Sequence, residues 1–325
     1  MELHRFFRYA IEKMCKEKKS LNHFYIKFIS IIMIIIYHCN YRDSLGFDAA
    51  FTLMGVCYFF AVNGYLILSK DRTIIYNIKK IARILSIIII WGCISIISSM
   101  LYRKDPIMIK SIAIHFYNLD NYYCNYLWFM IAMTSLYIIA PILKASIKAG
   151  IGHYILILIA IAVLLKPLCW KFNFLSETGF SHSILWYILG FYILSGKLKN
   201  ISNTKIIIYF IIACISYISY DNFLNIGIIR KIFGIIYNNF IYAFMIIFSL
   251  EILRRIPYKK NKFIELIARN TLGIYLLQGP IYKGLIIYFP SIENHFIIFP
   301  LLVTITSLFL TVLIKKCQLG FLISI

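Results

Sequence analysis

Apolar runs separated by short basic or polar stretches dominate this chain. They can be read at 21–39, 47–68, 84–102, 126–143, 150–169, 183–196, 205–220, 234–253, 271–289 and 295–314. Most approach the ~20 residues that carry a helix across a bilayer, while 183–196 and 205–220 are shorter. The pattern predicts an all-α protein, a polytopic membrane bundle of about ten transmembrane helices. The stretches between runs leave no room for a separate soluble domain. The expected organisation is a basic segment over 1–23, one membrane domain over 24–316 and a short tail over 317–325.

Composition agrees with this pattern. Hydrophobic residues make up 61% of the 325 and charged ones only 14%, which excludes a soluble domain that must cover its surface with polar groups. In a soluble protein a net charge of +21 would point to nucleic acid. Here the placement of the charge reports topology, and no nucleic-acid partner is expected. With the N-terminus inside, 24 of the 34 Lys and Arg fall on inner segments and nine on outer ones, with Lys27 inside a span. That bias predicts cytoplasmic termini and a multi-pass protein of the inner, cytoplasmic membrane. The first run is too long for a signal peptide and no small-x-small site follows it, so it is expected to stay attached.

Two inner segments are strongly basic, DRTIIYNIKKIAR (71–83) and RRIPYKKNKFIELIARN (254–270). Both carry apolar residues at helical spacing, which predicts amphipathic helices in the headgroup region. They suit anionic lipid contact or the lining of a site for an anionic cytoplasmic ligand. The longest outer segment, 102–126, is dense in Tyr. It suits an interfacial aromatic belt or stacking on sugar rings. The eight cysteines are scattered without a CxxC pair, and no two histidines show metal-ligand spacing, so neither a disulfide framework nor a zinc site is expected.

Candidate chemistry begins in YIKFISIIMIIIYHCN (25–40). Lys27 and His38 are eleven residues apart, about 16 Å along a helix and about 20° past three full turns. They share one face, Lys27 toward the cytoplasm and His38 toward the outer mouth. Ionisable groups inside a span normally face a bundle interior or a water-filled path. The pair equally suits a lysine snorkelling to the inner interface and a histidine standing at the outer one.

Five stretches, in order, resemble the integral-membrane acyltransferase 3 family, which includes surface-polysaccharide O-acetyltransferases. Lys27-x10-His38 is similar to the family's Arg/Lys-x10-His signature. FFAVNGYLI (59–67) resembles its Phe-Phe-x-x-Ser-Gly-Tyr segment, and Lys80-x-x-Arg83 its Arg-x-x-Arg element. LWFMIAMTSLYIIAPIL (127–143) resembles its Leu-Trp-Phe segment with a downstream Tyr and Pro, here Trp128, Tyr137 and Pro141. NTLGIYLLQGPI (270–281) resembles its late Ser-x-Gly-Ile-Tyr-x-x-His segment. Lys27 and Lys80 stand where Arg is commoner, which loosens bidentate phosphate contact. Asn63 stands for Ser. Gln278 replaces the late His and cannot transfer a proton.

The resemblance implies transfer of an acyl group, usually acetyl from acetyl-CoA, to a carbohydrate hydroxyl. The partners would be acyl-CoA, a surface or lipid-linked glycan and membrane lipids, with no metal. An acyl-CoA is made in the cytoplasm and carries phosphates, so its site needs cations on the inner side. Lys27, Arg72, Lys80 and Arg83 suit that part. His38 suits the general base, with Asp48 as the carboxylate orienting it. Tyr65, Trp128, Tyr275 and Gln278 are candidates for acceptor binding, although the three aromatics suit packing as well. A lipid-linked sugar flippase or transporter, or an exopolysaccharide polymerase, is the competing reading. No pair of Gly/Pro-broken spans in symmetric halves is visible, and the outer loops are poor in Arg.

Overall fold

A computed structural model describes residues 23–39, 47–117, 127–165, 180–222, 228–257, 259–295 and 297–323. Among them every regular element is helical. Twelve α-helices follow in order: α1 (His23–Cys39), α2 (Phe47–Leu68), α3 (Ile74–Arg103), α4 (Ile109–Tyr117), α5 (Trp128–Lys148), α6 (Gly152–Leu165), α7 (Phe180–Leu194), α8 (Asn203–Asn222), α9 (Ile228–Arg255), α10 (Lys262–Arg269), α11 (Thr271–Tyr288) and α12 (Ile298–Lys316). Each apolar run in the sequence carries one helix, and the short α4 and α10 lie between runs. Among the described residues four helices are long and apolar enough to cross a membrane, within α2, α3, α5 and α12. Shorter apolar helices lie within α1, α6, α7 and α8.

One expected boundary moves. The basic segment 71–83 is not a separate surface helix, because α3 runs unbroken for 30 residues from Ile74. Thr73 caps it, its hydroxyl accepting from the Tyr76 amide at 3.3 Å. No Gly or Pro follows before Gly92. Hydropathy falls where Lys79, Lys80 and Arg83 stand, yet nothing there stops a helix. The second basic segment does hold a short amphipathic helix. Asn261 caps α10 by accepting from the Phe263 and Ile264 amides at 2.9 and 3.2 Å, and α10 buries Ile267 and Ala268.

Small residues set the closest crossing, between α2 and α7. A Cβ added at Gly64 would overlap the backbone of Tyr187, and one added at Gly190 would overlap that of Ala61. Glycine here removes the Cβ that would hold two backbones apart. On the next flank, Gly55 brings α2 against Ser30, Met33 and Ile34 of α1. Gly273 of α11 packs on Thr311 of α12. The C-terminal turn Gly320–Leu322 is tied to α3 by the Trp91 indole, which donates to the Leu322 carbonyl at 2.7 Å.

Candidate functional site

The α1 helix orients its two ionisable groups. Ile31 and Ile34, on the line between Lys27 and His38, are fully buried, and the buried arc extends to Ile26, Ser30 and Ile35 on either side. Tyr25, Ile29, Ile32 and Ile36, on the opposite side, are only partly covered. Lys27 and His38 therefore stand at the centre of the inward face. Lys27 is half-buried, and among the described residues its amine has neither a hydrogen bond nor an ion pair. His38 is exposed near the C-terminal end of α1, edge-on to Tyr37 with ring centroids 5.5 Å apart. Its position in the helix falls on the bundle side of α1, and no described contact joins the ring to Lys80 or Arg83. Asp48 falls in the first turn of α2, with its side chain outside the described residues, as is the whole of 118–126 in the Tyr-rich outer segment.

At the start of α3 the candidate donor cations gather around one aromatic ring. The Arg72 guanidinium lies 4.2 Å from the Tyr76 ring centroid and the Lys80 amine 5.5 Å. Arg72 and Arg83 are within electrostatic reach of Lys80, and Arg83 is exposed. Arg72 is also within electrostatic range of the phenols of Tyr137 on α5 and Tyr187 on α7, without a described contact to either. Tyr187 is fully buried, and among the described residues its hydroxyl has no hydrogen-bond partner. One residue beyond Tyr76, the buried Asn77 carries an unpartnered amide oxygen. Buried polar groups left without partners are uncommon, and a ligand is one way of satisfying them. Neither Tyr187 nor Asn77 stands out in the sequence, where each is a single polar residue inside an apolar stretch.

The neighbouring carboxylate belongs to the scaffold. Asp71 accepts from Lys148 at 2.8 Å and is paired with Lys144 at 2.8 Å. Hydrogen bonds from these two lysines hold its carboxyl down at about 2. Lys144 also donates to the Lys70 carbonyl. Together these contacts fasten the α2–α3 connection to the end of α5.

Three of the recognised stretches, far apart in sequence, meet on Phe129. Its ring centroid lies 5.9 Å from Phe59, 4.9 Å from Phe60, 6.2 Å from Trp128 and 5.3 Å from Tyr275. Trp128 lies 6.3 Å from Phe60. Tyr275 is buried, whereas Tyr65 and Trp128 are partly exposed at the edge of the core. One turn beyond Tyr275, Gln278 is 3% exposed, and neither its amide nitrogen nor its amide oxygen has a partner. A buried carboxamide with two donors and an acceptor unmet is suited to a polyhydroxylated ligand.

The second basic segment divides. Arg254 and Arg255 do not line a ligand site, because both close on Glu251, which is 0% exposed. Arg254 donates to it twice, at 2.7 and 2.5 Å, and Arg255 once at 2.7 Å. Arg255 also donates to the carbonyls of Ile201 and Leu198, each at 2.7 Å, and to the Asn203 side chain at 2.6 Å. This cluster pins the α7–α8 connection under α9. The Glu-x-x-Arg-Arg spacing carries the signal for it, since residues three and four apart face each other on a helix.

Four of the described helices are long and apolar enough to cross a bilayer, the mark of a membrane protein. A family model described as an acyltransferase domain matches residues 23–316, nearly the whole chain. The chain belongs to the acyltransferase 3 family and is a membrane acyltransferase. No curated protein and no solved structure shows a significant match.

Proposed function

We propose that the protein transfers an acetyl group from cytoplasmic acetyl-CoA to a hydroxyl of a cell-surface or lipid-linked carbohydrate. It does so as a ten-span protein of the inner membrane with both termini cytoplasmic. The spans are α1, α2, α3, α5 to α9, α11 and α12. The observation that carries this reading is the inward stripe of α1, which directs a cation and an imidazole toward the same interior. Arg72, Lys80 and Arg83, with Lys27, hold the phosphates of the donor. His38 accepts the proton of the acceptor hydroxyl as its oxygen bonds to the acyl carbon and the thioester C–S bond breaks, releasing CoA as the thiolate. Asp48 orients the imidazole. Tyr65, Trp128 and Tyr275 offer aromatic faces to a sugar ring, and the Gln278 amide bonds to its hydroxyls.

The test is the surface glycan purified from cells with and without the gene. Loss of an alkali-labile acetyl signal in the proton NMR spectrum on deletion supports acetyl transfer. Unchanged acetyl content with altered chain length supports polymerisation instead.

A further inference from the structure

At the inner mouth of the bundle, α1, α2 and α10 bring four basic side chains together. His23 opens α1 and Lys27 follows one turn later on the same face. Lys70 lies just past the end of α2, and Arg269 closes α10. Packing fixes α10 and the segment before it against α1. The Arg269 guanidinium lies 5.2 Å from the Phe24 ring centroid, and the Tyr25 hydroxyl donates to the Lys259 carbonyl at 2.9 Å. The His23 ring lies within electrostatic reach of Lys27, Lys70 and Arg269, and its Nδ1 is buried without a hydrogen-bond partner. Lys315 adds a further cation behind Arg269, donating to the Asn270 side chain at 2.6 Å.

Among the described residues counter-charge is sparse at this mouth. Among the described residues Glu265 is the carboxylate paired with this group, and it approaches Arg269 at 3.5 Å. The amines of Lys27 and Lys70 have no hydrogen bond or ion pair there. Like charges held together in a partly covered site repel one another, so the arrangement weakens the empty protein. An anion seated among them reverses that sign. It needs several acceptor oxygens to satisfy two ammonium groups, a guanidinium fork and an imidazole N–H, and a phosphate has them.

We propose that His23, Lys27, Lys70 and Arg269 form a phosphate-binding site at the inner mouth, in addition to the cations around Tyr76. The phosphate belongs either to the 3′-phosphate of the CoA donor, which rests on the acyl-CoA reading above, or to an anionic lipid headgroup of the inner leaflet. Lys70 and His23 lie outside the two strongly basic inner segments that the sequence marks, and Arg269 falls in the second of them.

The experiment follows thermal unfolding of the full-length protein in phosphatidylcholine nanodiscs, comparing wild type with a Lys70→Gln/Arg269→Gln variant. Without an anion, the variant melts at or above the wild-type temperature, because repulsion is relieved. A lower melting temperature overturns the proposal, since the cations would then be structural. Where the 3′-phosphate is the ligand, wild type binds CoA about tenfold more tightly than 3′-dephospho-CoA, and the variant binds the two alike. Where a headgroup is the ligand, added phosphatidylglycerol raises the wild-type melting temperature and leaves that of the variant unmoved. Equal responses of variant and wild type to both CoA and phosphatidylglycerol overturn the site. A Lys70→Arg/Arg269→Lys variant, which keeps the charges, retains the response.

Two further outcomes separate this site from the acyl-CoA reading. If phosphatidylglycerol distinguishes the proteins while CoA stabilises neither, the site stands and the acyl-CoA reading falls. If Arg72→Gln abolishes CoA stabilisation while Lys70→Gln/Arg269→Gln leaves every response intact, the site falls and the acyl-CoA reading stands.

Discussion

The basic clusters of this molecule differ in what answers their charge. Under α9, Arg254 and Arg255 close on the buried carboxylate of Glu251 and on backbone carbonyls of the α7–α8 connection. Around Tyr76 and at the mouth of α1, the described partners of Arg72 and Lys80 include an aromatic face, and among the described residues no carboxylate pairs with Lys27 or Lys70. A guanidinium that a buried carboxylate already satisfies has nothing left for a ligand. One resting on a ring keeps its N–H groups for an incoming anion. The partner, more than the charge, separates a structural clamp from a binding surface.

The comparison breaks most visibly at Glu251. Glu251→Ala leaves two partly covered guanidinium groups facing a buried vacancy, so stability falls by about 3–5 kcal/mol, read as loss of monodisperse protein on size-exclusion chromatography. Removing the α2–α7 contact comes next. Gly64→Ala forces two backbones apart and costs about 1–3 kcal/mol or more in thermal unfolding. Arg72→Gln acts on the other cluster and leaves stability near wild type. It raises KM for acyl-CoA about tenfold, the loss of one charge-assisted contact, with a smaller effect on kcat.

The smallest effect belongs to Asp71, which is exposed. Because its carboxyl is held down at about 2 in the folded protein, its contribution is present above the ordinary carboxylate range and is lost as pH falls toward 2. Asp71→Asn should therefore differ from wild type at neutral pH and low salt, and converge with it in acid or in molar salt.

The positions of the helices were legible in the sequence because an apolar run of bilayer length is a strong signal that needs no tertiary information. The start of α3 was not, because hydropathy reports solubility rather than helix continuity, and Lys79, Lys80 and Arg83 lower the first without ending the second. Lys27 and His38 were placed on one face by their spacing, and the burial of Ile31 and Ile34 shows that this face is the inward one. The meeting of Phe60, Phe129 and Tyr275 is a product of packing among α2, α5 and α11, which no local pattern encodes. Tyr187 and Asn77 escaped for the same reason, since their unmet hydrogen bonds exist only once neighbouring helices exclude water. The Glu251 clamp was missed, and only its i, i+3 and i, i+4 spacing carries a signal for it.

The central claim is that the imidazole on the inward stripe of α1 takes the proton from the acceptor hydroxyl. The most direct measurement is the alkali-labile acetyl content of surface glycan from a deletion strain carrying either the wild-type gene or His38→Ala, with equal amounts of folded protein in the membrane. The account predicts that wild type restores the acetyl signal and that His38→Ala leaves it at the deletion level, a loss of at least ~100-fold for removal of a general base. Acetyl content restored at the normal rate by His38→Ala would contradict it.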